Sequence, residues 1–334
     1  MAEQVLVFIE RDGNEIVNIS RQIAIRGREQ ADTLNAQLCA LILGHHIEEI
    51  VESLSEMDFD VLYVVDDGSF EHYNPEVYTK ALSKILSDIA PRTVLLADTY
   101  ITREIGPAVA SRLGVPFLNS CADFELSETK VVVTQPKYGG TIYVKAELEP
   151  LPSMVLISLQ SSPIPADMVS TRTPSIEPVQ FKVDTQELNT MVVAITKDES
   201  VDVDITKADI VVSGGRGLGA RENISLIQDV AQALGGVIAC SRPLCDLGWL
   251  SLGYLVGMSG KSISPNVYLA CGISGATQHT AAITGAKRII AINKDANAPI
   301  FRTADFGVVG DLFKILPAVI NEAKRVITDK KQPS

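Results

Sequence analysis

Residues 209–222, DIVVSGGRGLGARE, set a glycine-rich turn between an apolar run and an amphipathic helix pattern. That arrangement is how a chain makes a phosphate site out of backbone. Residues 209–213 read as a buried strand, and Ile224, Ile227, Val230, Ala231 and Leu234 then recur at helical spacing. Gly214, Gly215, Gly217 and Gly219 lack a Cβ, so a diphosphate is expected against their N–H groups and the positive helix end. The usual dinucleotide fingerprint then expects an acidic residue at the end of the next strand, to hold a ribose hydroxyl. Here that strand, 237–240, runs into Ser241, Arg242 and Pro243. An arginine is the wrong group for the hydroxyl. It suits either a 2′-phosphate, hence an NADP-binding oxidoreductase domain, or the negative charge on a reduced flavin ring.

Four more clusters of small polar residues follow strands in the same half: 241–242, 257–260, 272–279 and 293–295. In an open parallel sheet, ligands bind beyond the carboxyl ends of the strands, so these clusters should converge on one crevice large enough for a nucleotide. The run CGISGATQH at 271–279 supplies hydroxyl, amide and N–H donors from Ser274, Gly275, Ala276, Thr277, Gln278 and His279 without a carboxylate or a permanent cation. Such a set suits a pyrophosphate or the edge of a conjugated ring.

The elements that must position these residues alternate between strand and helix. In the first half VLVFIE at 5–10, LNAQLCALILG at 34–44, DVLYVVDD at 60–67, a helix near 75–88, TVLLAD at 93–98 and a helix near 102–113 make a parallel sheet with covering helices. From about residue 119, four strands at 121–126, 130–135, 140–148 and 154–159 follow without helices, an expected antiparallel addition. Prolines at 163, 165, 174 and 178 punctuate a connection. The boundary is expected near 185–195. It separates an amino-terminal Rossmann-like α/β domain over 1–190 from a carboxyl-terminal doubly wound domain over 191–334, whose later elements lie at 267–271, 276–284, 288–292 and 312–325.

Composition narrows the function classes. The 334 residues are 46% hydrophobic, enough for two packed cores, and the net charge of −12 with no Lys/Arg cluster argues against nucleic acid. The amino terminus carries acidic residues where an export signal needs basic ones, and the longest charge-free stretch, 262–286, is too polar to span a membrane. The five cysteines form neither a CxxC pair nor a metal set with the four histidines, which fits a reduced, cytoplasmic chain without an iron–sulfur cluster.

SGGRG, SRP, VGxSGK with Met258 at the open position, GISGATQH, AINKDANAPIF and ADFGVVGDLFKILP occur in this order over residues 209–317. Together they resemble the alpha subunit of electron transfer flavoprotein, the FixB family. The resemblance implies a heterodimer with a smaller beta subunit, contacted by the amino-terminal domain, and an FAD in the carboxyl-terminal domain. Such a carrier exchanges electrons with acyl-CoA or other flavin dehydrogenases and with quinone reductases. In its bifurcating form, NADH electrons split between ferredoxin and an acyl-CoA enzyme.

Matching positions imply Gly215, Arg216, Gly217 and Ser241 around the pyrophosphate, and Arg242 against the isoalloxazine. Within Val256, Gly257, Met258, Ser259 and Gly260, the Ser259 hydroxyl would serve flavin N5. His279 would face the C2 carbonyl and the 274–279 run the ribityl and phosphate, while Asn293, Asp311 and Leu312 would hold the adenosine end. Reduced flavin carries negative charge around N1 and C2, so a nearby arginine and a polarised histidine would raise its potential. Met258 stands where many members have Gln, and Ser259 where others have Thr. No nucleophile or acid–base dyad is required.

Overall fold

Apolar runs such as QVLVFI at 4–9 and QLCALILG at 37–44 are buried on both faces, and a strand without a solvent face belongs inside a parallel sheet. The computed structural model of the chain describes residues 4–149, 151–158, 172–183, 188–196 and 204–330. It divides into two compact units between Ile195 and Thr196.

In the first unit the chain runs β1 (Gln4–Ile9), a small hairpin of β2 (Arg11–Asp12) and β3 (Glu15–Ile16), α1 (Asn18–Thr33), β4 (Gln37–Gly44), α2 (Glu48–Ser55), β5 (Val61–Asp66), α3 (Pro75–Ile89), β6 (Thr93–Ala97) and α4 (Tyr100–Leu113). It continues through β7 (Phe117–Cys121), β8 (Asp123–Leu126), β9 (Val131–Lys137), β10 (Ile142–Leu148), β11 (Ser153–Ile157) and β12 (Ser175–Pro178). The main sheet has seven strands in the order β12-β5-β4-β1-β6-β11-β7, all parallel. One face is covered by α1 and α2 through Ile23, Ala24, Ile50 and Leu54, the other by α3 and α4 through Val77, Leu82, Ile105 and Val109.

Two expectations are corrected here. The segment 34–44 stands where the alternation puts a helix, yet its core is strand β4; the helix before it is α1, whose largely polar sequence hides its narrow apolar stripe. The antiparallel addition is three strands, β10-β9-β8. Residue 121 closes β7, and 153–157 is β11, inserted between β6 and β7 of the parallel sheet because all five of its side chains are buried. The small sheet does a helix's work: Phe124, Leu126, Val131, Val133 and Leu148 join the core beside α1. The part of the fourth expected strand at 159, and the connection around Pro163 and Pro165, lie outside the described residues.

Glu10 follows β1 and is half-buried, its Oε2 accepting the Thr99 hydroxyl at 2.5 Å. Burial pushes its carboxyl up to about 6 from 4.5. A folded value above the unfolded one means stability present below about pH 4.5 is lost as pH rises through 6, about 2 kcal/mol at full ionisation. Glu10→Gln keeps an acceptor for Thr99 and removes the buried charge. It should raise unfolding stability at pH 8 by about 1–2 kcal/mol and leave it unchanged at pH 4, measured by urea unfolding.

The second unit runs β13 (Ile210–Gly214), α5 (Ile224–Leu234), β14 (Val237–Cys240), α6 (Arg242–Asp246), β15 (Val267–Cys271), α7 (Thr277–Thr280), β16 (Ile289–Asn293), β17 (Phe306–Val309) and α8 (Leu312–Lys330). Its five strands are parallel in the order β14-β13-β15-β16-β17. α5 and α8 cover one face through Ile227, Val230, Leu312 and Leu316; Ile263, Ile273, Ile283 and Ile300 pack on the other. The edge strand β17 has every residue exposed. Among the described residues no helix is long and apolar enough to cross a membrane.

Candidate functional site

The chain leaves β13 toward β14 on one side and returns to β15 on the other, so the seam between β13 and β15 is the switch point where a doubly wound sheet opens a crevice. Every residue singled out from the sequence stands at this carboxyl edge. Gly215, Arg216 and Gly217 follow β13, and Ser241 and Arg242 follow β14. Ser274, Gly275, Ala276, Thr277, Gln278 and His279 follow β15, Asn293 ends β16, and Asp311 and Leu312 follow β17. Val256, Gly257, Met258, Ser259 and Gly260 join the edge because the Val256 N–H donates to the Cys240 carbonyl and the Met258 N–H to that of Gln278.

The glycine turn is not an open cradle. Gly215 N–H donates to the Cys271 carbonyl at 2.9 Å and Gly217 N–H to that of Gly272 at 3.0 Å. A Cβ on Gly215 would stand 2.4 Å from the Gly272 carbonyl oxygen, and one on Gly217 would stand 2.7 Å from the Gly272 Cα. These glycines let two loops touch backbone to backbone, which corrects the expectation that their N–H groups face a diphosphate. What the turn offers outward is Arg216, exposed and without a side-chain partner among the described residues.

Ser241 is buried, and its N–H donates to the Gly214 carbonyl as α6 begins. Arg242 is exposed on the first turn of that helix. Its Nε donates to Asp246 at 2.7 Å, and Nη1 reaches the Ser259 hydroxyl at 3.4 Å. The fold thus brings together a cation and a hydroxyl separated by 17 residues, which the family resemblance assigns to one ring.

His279 is 6% exposed. Its Nε2 lies 2.7 Å from the Tyr268 hydroxyl and its Nδ1 3.0 Å from the Val256 carbonyl. Burial pulls the imidazole down to about 4 from 6.5, so it is neutral, with the proton on Nδ1 donated to Val256 and the phenol donating to Nε2. Both ring nitrogens have partners within the protein, and this ring pins the 256–260 loop to β15. Tyr268 escaped the sequence reading. The signal available was one polar tip in the buried strand VYLAC, and a buried phenol needs a partner.

Asn293 is also turned inward, its Nδ2 donating to the Ile273 carbonyl and its Oδ1 accepting from the Asp295 N–H. Asp311 Oδ1 accepts from the Phe313 N–H at the start of α8, and Leu312 is buried against Gly272. The outward donors are therefore Arg216, Arg242, Ser259, Ser274, Thr277 and Gln278, all exposed, with Met258 beside them. Two guanidiniums and a row of uncharged hydroxyl and amide donors at a switch point fit a dinucleotide carrying a diphosphate and an electron-rich ring, so the residues present suit FAD. Among the described residues no three His, Cys, Asp or Glu side chains gather as a metal site.

Comparison with known proteins gives two family matches that overlap over residues 204–221. A family model described as the electron transfer flavoprotein FAD-binding domain matches residues 204–284, and one described as the electron transfer flavoprotein domain matches residues 5–221. The electron transfer flavoprotein subunit alpha of Thermoanaerobacterium thermosaccharolyticum is 33% identical over 97% of this chain and 98% of its own length. Protein FixB of Clostridium saccharobutylicum is 37% identical over 97% of each. The acryloyl-CoA reductase electron transfer subunit beta of Anaerotignum propionicum is 32% identical over 95% of each.

Proposed function

The chain belongs to the electron transfer flavoprotein alpha-subunit family, whose carboxyl-terminal domain binds FAD, and from that premise we propose that it is the flavin-bearing half of a heterodimer carrying electrons between a dehydrogenase and a redox acceptor. FAD supplies the one- and two-electron chemistry; the chain binds and orients it and sets its charge environment. The observation that carries the reading is the pair Arg242 and Ser259, held 3.4 Å apart at the exposed carboxyl edge beside uncharged donors. A cation there would stabilise the reduced ring.

Residues Arg216, Ser274, Thr277 and Gln278 would hold the diphosphate and ribityl, and Asp311 the adenosine end. The alternative of an NADP site gains no support, since the family model that covers Arg242 is described as an FAD-binding domain. A beta subunit as partner is supported by family membership and by unpartnered apolar surface, Phe306, Val309 and Phe313 on the second unit and Tyr138, Ile142 and Tyr143 on the first. The likeness to an acryloyl-CoA reductase electron transfer subunit favours an acyl-CoA-type enzyme as the redox partner. Five free cysteines suit a reducing compartment such as the cytoplasm.

The test is the flavin content of the chain co-purified with its beta subunit. One FAD per heterodimer is expected of a simple shuttle and two of the bifurcating type that uses NADH and ferredoxin; none after reconstitution rejects the carrier. Arg242→Ala should make the flavin potential more negative without unfolding the chain, and unchanged potentials would remove Arg242 from the ring.

A further inference from the structure

Cys240 ends β14 and Cys245 lies on the helix that follows. Their Sγ atoms are 3.4 Å apart, inside the usual contact distance of two sulfurs. The strand end is held by sheet pairing and by the Val256 N–H on its carbonyl, so Cys240 is fixed, while Cys245 rides on the five-residue α6. A disulfide needs about 2.05 Å, so a shift of about 1.4 Å between strand and helix closes the pair. We propose that Cys240 and Cys245 are a redox-active dithiol that closes into a disulfide by exchange with a small-molecule disulfide such as oxidised glutathione.

The two sulfurs divide the work. Cys240 is fully buried and Cys245 partly exposed, so the reagent meets Cys245 first. The Cys240 thiol hydrogen-bonds to Cys245 and holds it below the usual thiol range against burial and the Asp246 carboxylate, whereas the same contact and burial push Cys240 up. Burial pushes Cys39, Cys121 and Cys271 up to about 12, which leaves them inert.

The Cys245 thiolate attacks one sulfur of the reagent; that S–S bond breaks, and the first small thiolate leaves with a proton from solvent. Cys240 Sγ then releases its proton to solvent and attacks Cys245 Sγ, expelling the second small thiolate, which is protonated in turn. Two protein thiols lose two electrons and two protons, and one reagent disulfide becomes two thiols. Closure draws α6 onto the strand and moves Arg242 off the Ser259 hydroxyl, because Arg242 is the first residue of that helix. This last consequence rests on the proposed flavin site; the disulfide does not.

The experiment treats the full chain, in complex with its beta subunit, with oxidised glutathione and counts the alpha chain's thiols after denaturation. Titratable thiols should fall from five to three, the five free cysteines less this pair, and the peptide carrying Cys240 and Cys245 should lose two hydrogens and resist alkylation. Cys240→Ser should stop at a glutathione adduct on Cys245, whereas Cys245→Ser should take up no glutathione on the peptide carrying Cys240. All five thiols surviving, or oxidation at Cys39, Cys121 or Cys271 instead, would overturn the proposal. A disulfide that forms without moving the flavin potential would retain the dithiol and reject only its coupling to Arg242.

Discussion

Gly215→Val abolishes FAD retention and destabilises the carboxyl-terminal unit by about 3 kcal/mol or more, at the upper end of overpacking costs. The reason is not lost contact with a phosphate but intrusion into backbone. The new Cβ would stand 2.4 Å from the Gly272 carbonyl oxygen and 2.8 Å from the Ile273 Cα, neither of which can swing aside as a side-chain tip would. Relief requires parting the loops after β13 and β15, which breaks the Gly215–Cys271 and Gly217–Gly272 hydrogen bonds and opens the switch-point seam. Gly219→Ala is the control: its φ of +77° strains an alanine by about 1–2 kcal/mol, but nothing lies within 4 Å of the added carbon, so flavin should stay. Flavin content and the unfolding midpoint of both variants check this. Normal retention in Gly215→Val would mean the seam yields more easily than its geometry states.

Acid should weaken the carboxyl-terminal unit through His279. Its imidazole titrates at about 4 in the fold and at 6.5 when unfolded. Between those values the unfolded chain holds the extra proton, so stability is complete above about pH 6.5 and falls as pH drops toward 4, by about 3 kcal/mol over the whole window. His279→Gln can still donate to the Val256 carbonyl and accept from Tyr268 without titrating, so its stability should be flat where the wild type declines. Glu10 acts with the opposite sign in the amino-terminal unit between 4.5 and 6, so the two effects separate only by comparing each variant with wild type. Equal slopes for wild type and His279→Gln, measured by denaturant unfolding from pH 7 to 4.5, would show that the ring does not stay neutral. Tyr268→Phe should cost about 1–3 kcal/mol at pH 7, since it leaves Nε2 buried without a donor.

Much of the second unit was legible in order of residues, because strand, turn and helix there each carry local signals. Val267–Cys271 is bounded as expected, and the polar clusters fall at strand ends where a parallel sheet must gather them. Less was legible where partners lie far apart in sequence. The run SMVLI at 153–157 is a buried strand by its own composition, but nothing local says that it enters the parallel sheet between β6 and β7 rather than pairing with β10. The edge strand β17, FGVV, is four residues long and exposed, too short for its period to register. α1 went unseen because a helix that buries one narrow stripe can be polar over most of its length.

The sequence by itself determined the class of fold, the family and the edge of the second sheet where the candidate cofactor residues gather, because those depend on local periodicity, on glycines at turns and on motif order. Tertiary structure alone decided what each site residue is free to do. Gly215 and Gly217 spend their N–H groups on a neighbouring loop, His279 spends both nitrogens on Tyr268 and Val256, and Cys240 meets Cys245 at 3.4 Å. A hydrogen bond or a sulfur contact depends on distances between groups that the chain brings together only after its strands have paired. Residue type states what a group can donate or accept, and packing settles whether that capacity is already used.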